Sequence, residues 1–380
     1  MKRLALLIVV GAVCFSFGKR SEQRALARSA SVEPIAERAM TGTPQSQVGA
    51  AEEPLWAYGF DTPPKPGDSA RAQAPPSRAL RANEDPAEQT KLRHVAGSRA
   101  AYSLVDVRDG GHVIDWFPGD HPPMPGVVKR GPVALGESTR ACASCHLPNG
   151  RGRPENAPVA GLPLSYFIQQ IQDFRNGLRH TADPRKPNTP TMIALAAAMT
   201  DDEIVASARY FSAVAYSAPW IRVVESAMVP RTKIVGNLFL PLEKTLSQPI
   251  AGRIVEMPEN EEQSELLRNP RSGFVSYVPP GSLARGKDLA TTGGQRVVGA
   301  TVTAGRAVAC VTCHGADLRG IERVPPIAGR SPSYIARQLW DIQRGTRNGP
   351  GVQLMKAAIA TLTTEDIVSL SAYVASRSPR

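Results

Sequence analysis

Apolar residues recur with a helical period in four stretches of the chain, which form two similar pairs. Within 165–176 and 333–344, apolar side chains fall three and four positions apart, and a glycine follows each stretch. This is the pattern of an amphipathic helix closed by a glycine C-cap. The helical period returns within 201–214 and 364–376, where a threonine precedes each stretch as N-cap, with a capping-box glutamate in the first. The sequence therefore predicts two helical units of the same design.

Residues 218–281, between the two pairs, change to short runs of β-branched and aromatic residues separated by proline or glycine. Such runs are typical of strands. They are Ile221–Val224, Thr232–Val235, Gly252–Val255 and Gly273–Val278. The stretch contains neither Cys nor His, and we interpret its acidic cluster, 259–265, as a solvated loop. We predict a small β-rich insertion that holds the helical units in register or docks a partner.

The first 90 residues follow neither pattern. A basic pair precedes an apolar run over residues 4–17, which is too short for a comfortable membrane span and typical of a secretory signal, 1–18. The cleavage site is indistinct, so an uncleaved anchor stays an alternative. Residues 19–90 are dominated by Ala, Pro, Ser, Arg and Glu, which predicts a low-complexity tether or disordered linker. Its one apolar island, Leu55–Tyr58, is interpreted as part of a loosely ordered linker, and docking on another part of the protein is the alternative.

One pentapeptide occurs twice and carries the candidate chemistry. Cys142-Ala143-Ser144-Cys145-His146 and Cys310-Val311-Thr312-Cys313-His314 both read Cys-x-x-Cys-His, the pattern of c-type haem attachment. The two thiols add to the haem vinyl groups as thioethers, and the histidine gives the iron its proximal nitrogen. A zinc site would want further Cys or His ligands near each motif. A thioredoxin-like pair or a disulfide would not explain the repeated histidine.

The surroundings of the two motifs are related by a constant offset of 168 residues. Matched pairs at this offset are Gly152/Gly320, Pro158/Pro326, Ser165/Ser333, Tyr166/Tyr334, Gln170/Gln338, Asp173/Asp341 and Arg179/Arg347. Five residues are then missing from the second copy, and the offset becomes 163. Met192 now matches Met355, and both precede the final helix by the same interval. Each motif therefore heads a duplicated segment.

The order of attachment motif, proline loop, helix, methionine loop and final helix resembles the class I cytochrome c fold, and the tandem resembles the cytochrome c4-like di-haem cytochromes. The resemblance covers about 130–215 and 282–377, under half of the chain. It implies a mainly α protein with two class I cytochrome c domains in tandem, 91–217 with an N-terminal arm and 282–380. It also implies two covalently bound haem c groups.

The resemblance further implies the remaining contacts of each haem. Met192 and Met355 take the sixth position of the irons, while Met199 is core because its counterpart is a leucine. Pro158 and Pro326 supply the carbonyls that accept the Nδ1–H of the proximal histidines. The predicted haem-binding residues are Cys142, Cys145, His146, Pro158, Tyr166, Met192, Cys310, Cys313, His314, Pro326, Tyr334 and Met355, of which the histidines and methionines ligate iron.

Several polar residues near the motifs keep two interpretations. Arg179 and Arg347 either meet haem propionates or are solvated surface. His180 is a surface residue or an alternative ligand, and the same alternative applies to His121 and Met124 in a proline-rich run before the first motif.

Charge is concentrated at the end of the chain. Of the formal net charge of +11, residues 276–380 contribute 13 basic against 6 acidic side chains. A basic face near a haem edge steers an acidic partner, and no nucleic-acid motif accompanies the charge.

Together these features predict an exported, periplasmic di-haem electron carrier with redox protein partners such as a dehydrogenase or a terminal oxidase, tethered to a membrane only if the N-terminal segment is uncleaved. A haem c subunit of a dehydrogenase complex is the alternative. A di-haem peroxidase or thiosulfate dehydrogenase would need an open or Cys-ligated iron, whereas both copies offer a methionine.

Overall fold

The computed structural model describes residues 52–73, 78–217, 219–242 and 246–379. All of them belong to one compact unit, Ala50–Arg380. The predicted secretory signal, 1–18, lies outside the described residues, as does the first part of the predicted linker. Among the described residues, no helix is long and apolar enough to cross a membrane.

Along the chain, helices precede and follow a β-rich middle segment. Before it lie α1 (Leu55–Tyr58), α2 (Pro86–Thr90), α3 (Leu104–Val107), α4 (Gly126–Arg130), α5 (Cys142–His146), α6 (Leu164–Arg175), α7 (Asn188–Ala198) and α8 (Asp201–Ala213). After it lie α9 (Ser282–Thr292), α10 (Val311–His314), α11 (Pro332–Gln343), α12 (Gln353–Ile359) and α13 (Thr364–Ser376). Shorter 3-10 turns occur at Val133–Ser138 and Pro350–Val352. We call α5–α8 the first helical unit and α9–α13 the second.

The two helical units contain the four predicted amphipathic helices, α6, α8, α11 and α13, with bounds within one residue of those expected. Thr200 and Thr363 cap α8 and α13 with complete capping boxes, so the box predicted for the first copy is present in both. Gly177 and Gly345 follow α6 and α11 with φ of 67° and 73°, the left-handed conformation in which glycine ends a helix without steric cost.

Short strands connect the two helical units. They are β1 (Ile221–Glu225), β2 (Met228–Pro230), β3 (Thr232–Val235), β4 (Leu238–Pro241), β5 (Ser247–Pro249), β6 (Val255–Pro258) and β7 (Phe274–Val278). β7 pairs in parallel with β1 and antiparallel with β6, while β2–β5 and β3–β4 are two-stranded. Ile221 lies in the hydrophobic core of the first unit and Val275 in that of the second. The β structure therefore contacts both cores.

The acidic cluster 259–265 is not simply a solvated loop, as the sequence suggested. A π-helical turn spans Glu262–Leu266, and the Glu265 carboxylate accepts at 2.6 Å from the buried guanidinium of Arg153 in the first helical unit. The charge of this glutamate is therefore used inside the fold, where it compensates a buried cation.

Part of the predicted linker is folded. Three of the four side chains of α1 are buried, and the Tyr58 hydroxyl donates to Asp341 at 2.7 Å. The buried Lys186 ammonium donates to the Tyr58 carbonyl at 3.3 Å. The interpretation as a loosely ordered linker is therefore wrong for this stretch, and the alternative that the apolar island docks is confirmed, because its apolar side chains are buried and its polar groups are paired. We call residues 52–60 the strap.

The predicted arm, 91–130, contains α3 and α4 and has its own small apolar cluster with Leu267. Trp116 Nε1 donates to the Leu267 carbonyl at 2.8 Å, which fixes the arm to the β-rich middle.

Candidate haem site

Both attachment motifs border one cavity of about 650 Å³. Its lining contains the predicted ligands His146, Met192, His314 and Met355 together with the four motif cysteines. These cysteines form no disulfide. Within the described ranges there is also no cluster of three or more His, Cys, Asp and Glu that would hold a metal ion. The geometry thus places both motifs and both methionines around one space.

The two motif histidines have the same hydrogen bond. His146 Nδ1 lies 2.8 Å from the Ala157 carbonyl, and His314 Nδ1 lies 2.9 Å from the Pro325 carbonyl. Because a carbonyl can only accept, Nδ1 carries the proton and Nε2 keeps its lone pair for a metal. Burial lowers the pKa of both imidazoles, which favours the neutral form that a ligand requires.

The predicted carbonyl acceptors, Pro158 and Pro326, are wrong by one residue. Both prolines line the cavity, but their carbonyls accept from Arg330, at 2.6 Å from Nη1 to Pro158 and 2.6 Å from Nε to Pro326. Any residue can present a backbone carbonyl, so Ala157 serves the first histidine as Pro325 serves the second. Arg330 instead ties the two proline loops, one from each helical unit, to each other.

The candidate methionine ligands lie in helices, not in the loops that the sequence predicted. Met192 belongs to α7 and Met355 to α12, because the residues around each are good helix formers such as Ala and Leu. Met199 is buried, packs in the first core and also borders the cavity. The ligand assignments stay predictions on these positions.

The other candidate ligands have different partners. The exposed His180 directs Nε2 to the Gly177 carbonyl at 2.9 Å. His121 Nε2 lies 3.3 Å from Asp115, and Met124 packs against the first core. Of these three, only His180 is part of the cavity lining.

Arg179 and Arg347 form a crossed arginine pair between the helical units. Arg179 donates to Gln170 of its own unit and to Gln338 of the other, both at 2.9 Å. Arg347 reciprocates with Gln338 at 3.0 Å and Gln170 at 2.8 Å, and it donates to Tyr166 at 2.7 Å. The backbones of the two arginines also pair antiparallel. Both side chains are buried, which excludes the solvated-surface interpretation.

The crossed pair also acts on Tyr334, which lines the cavity. Arg179 Nη2 lies 3.4 Å from the Tyr334 hydroxyl. Burial by itself would raise the pKa of Tyr334, but the positive charges of Arg179 and Arg347 outweigh it and lower that pKa. The hydroxyl therefore lies in a strongly positive potential.

The cavity lining carries more buried positive than negative charge. The buried cations are Arg179, Lys186, Arg330, Arg337 and Arg347, and the buried carboxyl groups are Glu155 and Asp341. Burial, reinforced by Arg337, lowers the pKa of Lys186 well below its usual value. Arg347 Nε is buried without a hydrogen-bond partner in the described part of the chain. Such an excess is costly unless an anionic group enters. Haem brings propionate carboxylates, so this donor set fits it.

Comparison with known proteins places these features in context. No family model matches the chain. Cytochrome c4 of Pseudomonas aeruginosa is 23% identical over 249 residues, which is 64% of this chain and 88% of that protein. A thiosulfate dehydrogenase electron acceptor of Stutzerimonas stutzeri is 22% identical over 62% of this chain and 78% of its own length. Cytochrome c-554(548) of Halomonas halodenitrificans is 33% identical over 69 residues, 18% of this chain and 83% of that protein.

Proposed function

We propose that this chain, which belongs to the cytochrome c4-like family of di-haem class I c-type cytochromes, is an exported carrier that passes single electrons between redox proteins through two His/Met-ligated haems. The observation that carries the proposal is the shared cavity, in which each attachment motif is accompanied by one methionine at the matched position of the repeat. Covalently bound haem c would supply the one-electron iron couple.

The residues of the chain would hold each haem from several directions. Two motif thiols would form the thioethers, and His146 or His314 would present Nε2 because Nδ1 is engaged by a backbone carbonyl. Met192 or Met355 would offer a thioether sulfur from the final part of each unit. A thioether ligand raises the reduction potential relative to a second histidine. Two protein ligands would also leave no position open for a substrate, which suits a carrier.

The proposed destination is the periplasm. The basic pair and apolar run of residues 4–17 are typical of a secretory signal, and c-type haem is attached outside the bacterial cytoplasm. The alternative of an uncleaved anchor remains part of this proposal.

A second candidate function is an electron acceptor subunit for a dehydrogenase. The similarity to a protein named thiosulfate dehydrogenase electron acceptor favours it. Rapid-mixing experiments with a purified thiosulfate dehydrogenase and thiosulfate would test it. Reduction of the holoprotein at a rate that saturates with its concentration indicates a complex, whereas no reduction removes this candidate.

The carrier proposal is tested by redox titration of the purified holoprotein with optical detection. We expect two one-electron steps and low-spin iron in both oxidation states. Met192→His and Met355→His should each lower one of the two reduction potentials and leave the other nearly unchanged. Met199→Leu is the matched control, since leucine occupies the equivalent position in the second copy. Unchanged potentials in both histidine variants, or a high-spin iron in the parent protein, would contradict the ligand assignment.

A further inference from the structure

A β ribbon precedes the second attachment motif and projects from the second helical unit. It consists of β8 (Arg296–Val298) and β9 (Thr301–Thr303), and all six residues are exposed. Val297 pairs directly with Val302, so the two side chains share one face, and they are 68% and 57% exposed. An isolated two-stranded ribbon is only marginally stable in water. Clustered exposed apolar side chains of this kind mark protein contact sites.

The base of the ribbon is fixed to the wall of the cavity beside the second motif. The Gly293 carbonyl accepts from the backbone N–H groups of Arg306 at 2.8 Å and Ala307 at 3.1 Å. A Cβ at Gly293 would lie 2.1 Å from the Ala307 carbonyl oxygen, so the two chain segments cross only because glycine stands there. Ala307 and Val308 then line the cavity. The ribbon is thus held at the entrance to the second site.

The surface around this entrance combines apolar and basic side chains. Val308 and Leu354 line the cavity and are 52% and 85% exposed. Arg323 also lines the cavity and is exposed. The Arg296 and Arg306 side chains are 62% and 55% exposed, and each pairs with one carboxylate of the same unit. Of the 13 basic and 6 acidic residues over 276–380, Arg330, Arg337, Arg347, Asp341 and Asp366 are buried, so basic side chains still outnumber acidic ones outside the core of this unit.

The ribbon belongs to one copy of the repeat. The positions before the first motif form α4 and the 3-10 turn Val133–Ser138 in place of a hairpin. Both motifs border the same cavity, so the cavity does not explain why only the second motif is preceded by a ribbon. A partner that binds one unit and not the other would explain it. An apolar projection beside one site within a cationic field distinguishes the second unit from the first.

We propose that the ribbon and the entrance to the second site form the docking surface for an acidic electron-carrying protein, so that electrons enter or leave the chain through the second unit. The complementary partner presents an apolar patch to Val297 and Val302, surrounded by carboxylates that face the exposed arginines. This inference rests on the proposed carrier function.

The test uses the full holoprotein and rapid mixing of its reduced form with oxidised plastocyanin, an acidic copper protein. We expect the double variant Val297→Thr/Val302→Thr, which keeps β-branched side chains, to lower the second-order rate constant about tenfold. Val133→Thr is the matched control, because Val133 is an exposed valine before the first motif. It should stay within about twofold of the parent. Rising ionic strength should slow the reaction of the parent.

Oxidation by hexacyanoferrate(III) separates this inference from the carrier proposal. If this small oxidant fails to oxidise the reduced parent, the carrier function itself is wrong. If it oxidises parent and variants alike, as expected, equal plastocyanin rates for both valine variants overturn the docking surface. A plastocyanin rate that rises with salt overturns its charge complementarity. If sedimentation shows that the parent is a dimer and the ribbon variant a monomer, the ribbon binds a second copy of this chain and not an acidic partner.

Discussion

Glu256 is a buried carboxyl group at the junction between the β-rich middle and the second helical unit. It is 1% exposed and accepts through Oε2 from the Ser331 hydroxyl at 2.8 Å and from the Ser333 N–H at 3.1 Å. Its other oxygen, Oε1, has no hydrogen-bond partner among the described residues. Burial outweighs the serine hydrogen bonds and raises the pKa of Glu256 to about 7.

This environment makes the stability of the protein depend on pH. Between 4.5, the ordinary pKa, and about 7, the folded protein holds a proton that the unfolded chain releases. The free energy of unfolding therefore falls as pH rises through this window and stays lower above it. At about 1.4 kcal/mol for each tenfold difference in proton affinity, the loss amounts to about 3 kcal/mol. Glu256→Gln keeps an acceptor oxygen for the two serines but cannot ionise.

We expect Glu256→Gln to raise the free energy of unfolding by up to about 3 kcal/mol at pH 8 and to change it little at pH 4. Urea titration of the holoprotein at both pH values, followed by circular dichroism, measures the difference. Glu259→Gln is the control, since this glutamate is partly exposed and pairs with Arg222 at the surface. It should alter stability by less than about 1 kcal/mol at either pH. An equal effect of Glu256→Gln at pH 4 and pH 8 would refute the reasoning.

Two further predictions concern the contacts between the helical units. Arg347→Gln removes the guanidinium donors to Tyr166, Gln170 and Gln338. We expect the free energy of unfolding, measured by urea titration of the holoprotein, to fall by about 3 kcal/mol. We also expect lower reduction potentials, because a buried positive charge near both sites is removed. Arg347→Lys should restore the potentials more fully than the stability; if Arg347→Gln changes neither quantity, the crossed pair has no such role. Tyr58→Phe leaves the Asp341 carboxylate without the strap hydroxyl, which should cost about 1 to 3 kcal/mol and speed proteolytic cleavage near residue 58. Arg71→Ala, at an exposed position in the described stretch 52–73 but outside the strap, is the control and should have no effect.

Side-chain patterns predicted the helices and the motifs but not the backbone contacts. The helical period of apolar residues located α6, α8, α11 and α13, because a helix that packs on a core needs apolar side chains three and four positions apart. The predicted acceptor for His146 was one residue too late in the sequence. Every residue has a carbonyl oxygen, so the amino-acid sequence does not show which one accepts the hydrogen bond. The helices that carry Met192 and Met355 were also missed, because the element order that resembles class I cytochromes c places the methionine in a loop.

Comparison of the two copies found only what both copies share. It identified Arg179 and Arg347 as equivalent, yet nothing in the offset indicates that each donates to the other unit. Arg330 was missed because its counterpart in the first copy is Leu162. Lys186 lies in the stretch where the copies differ in length, so it had no counterpart to draw attention to it. Residues that join two repeats need not be repeated themselves.

The strap has a consequence for the order of folding. Within the described ranges its contacts close very long loops, with a sequence separation of 283 between Tyr58 and Asp341 and of 312 between Glu52 and Thr364. Such non-local contacts form late, because the chain entropy of loop closure must be overcome first. The strap is made before both helical units, but its groove is complete only when the last helix has folded. Seating of the strap therefore reports that the whole chain has matured, and a truncated or misassembled chain would leave this N-terminal segment open to proteases.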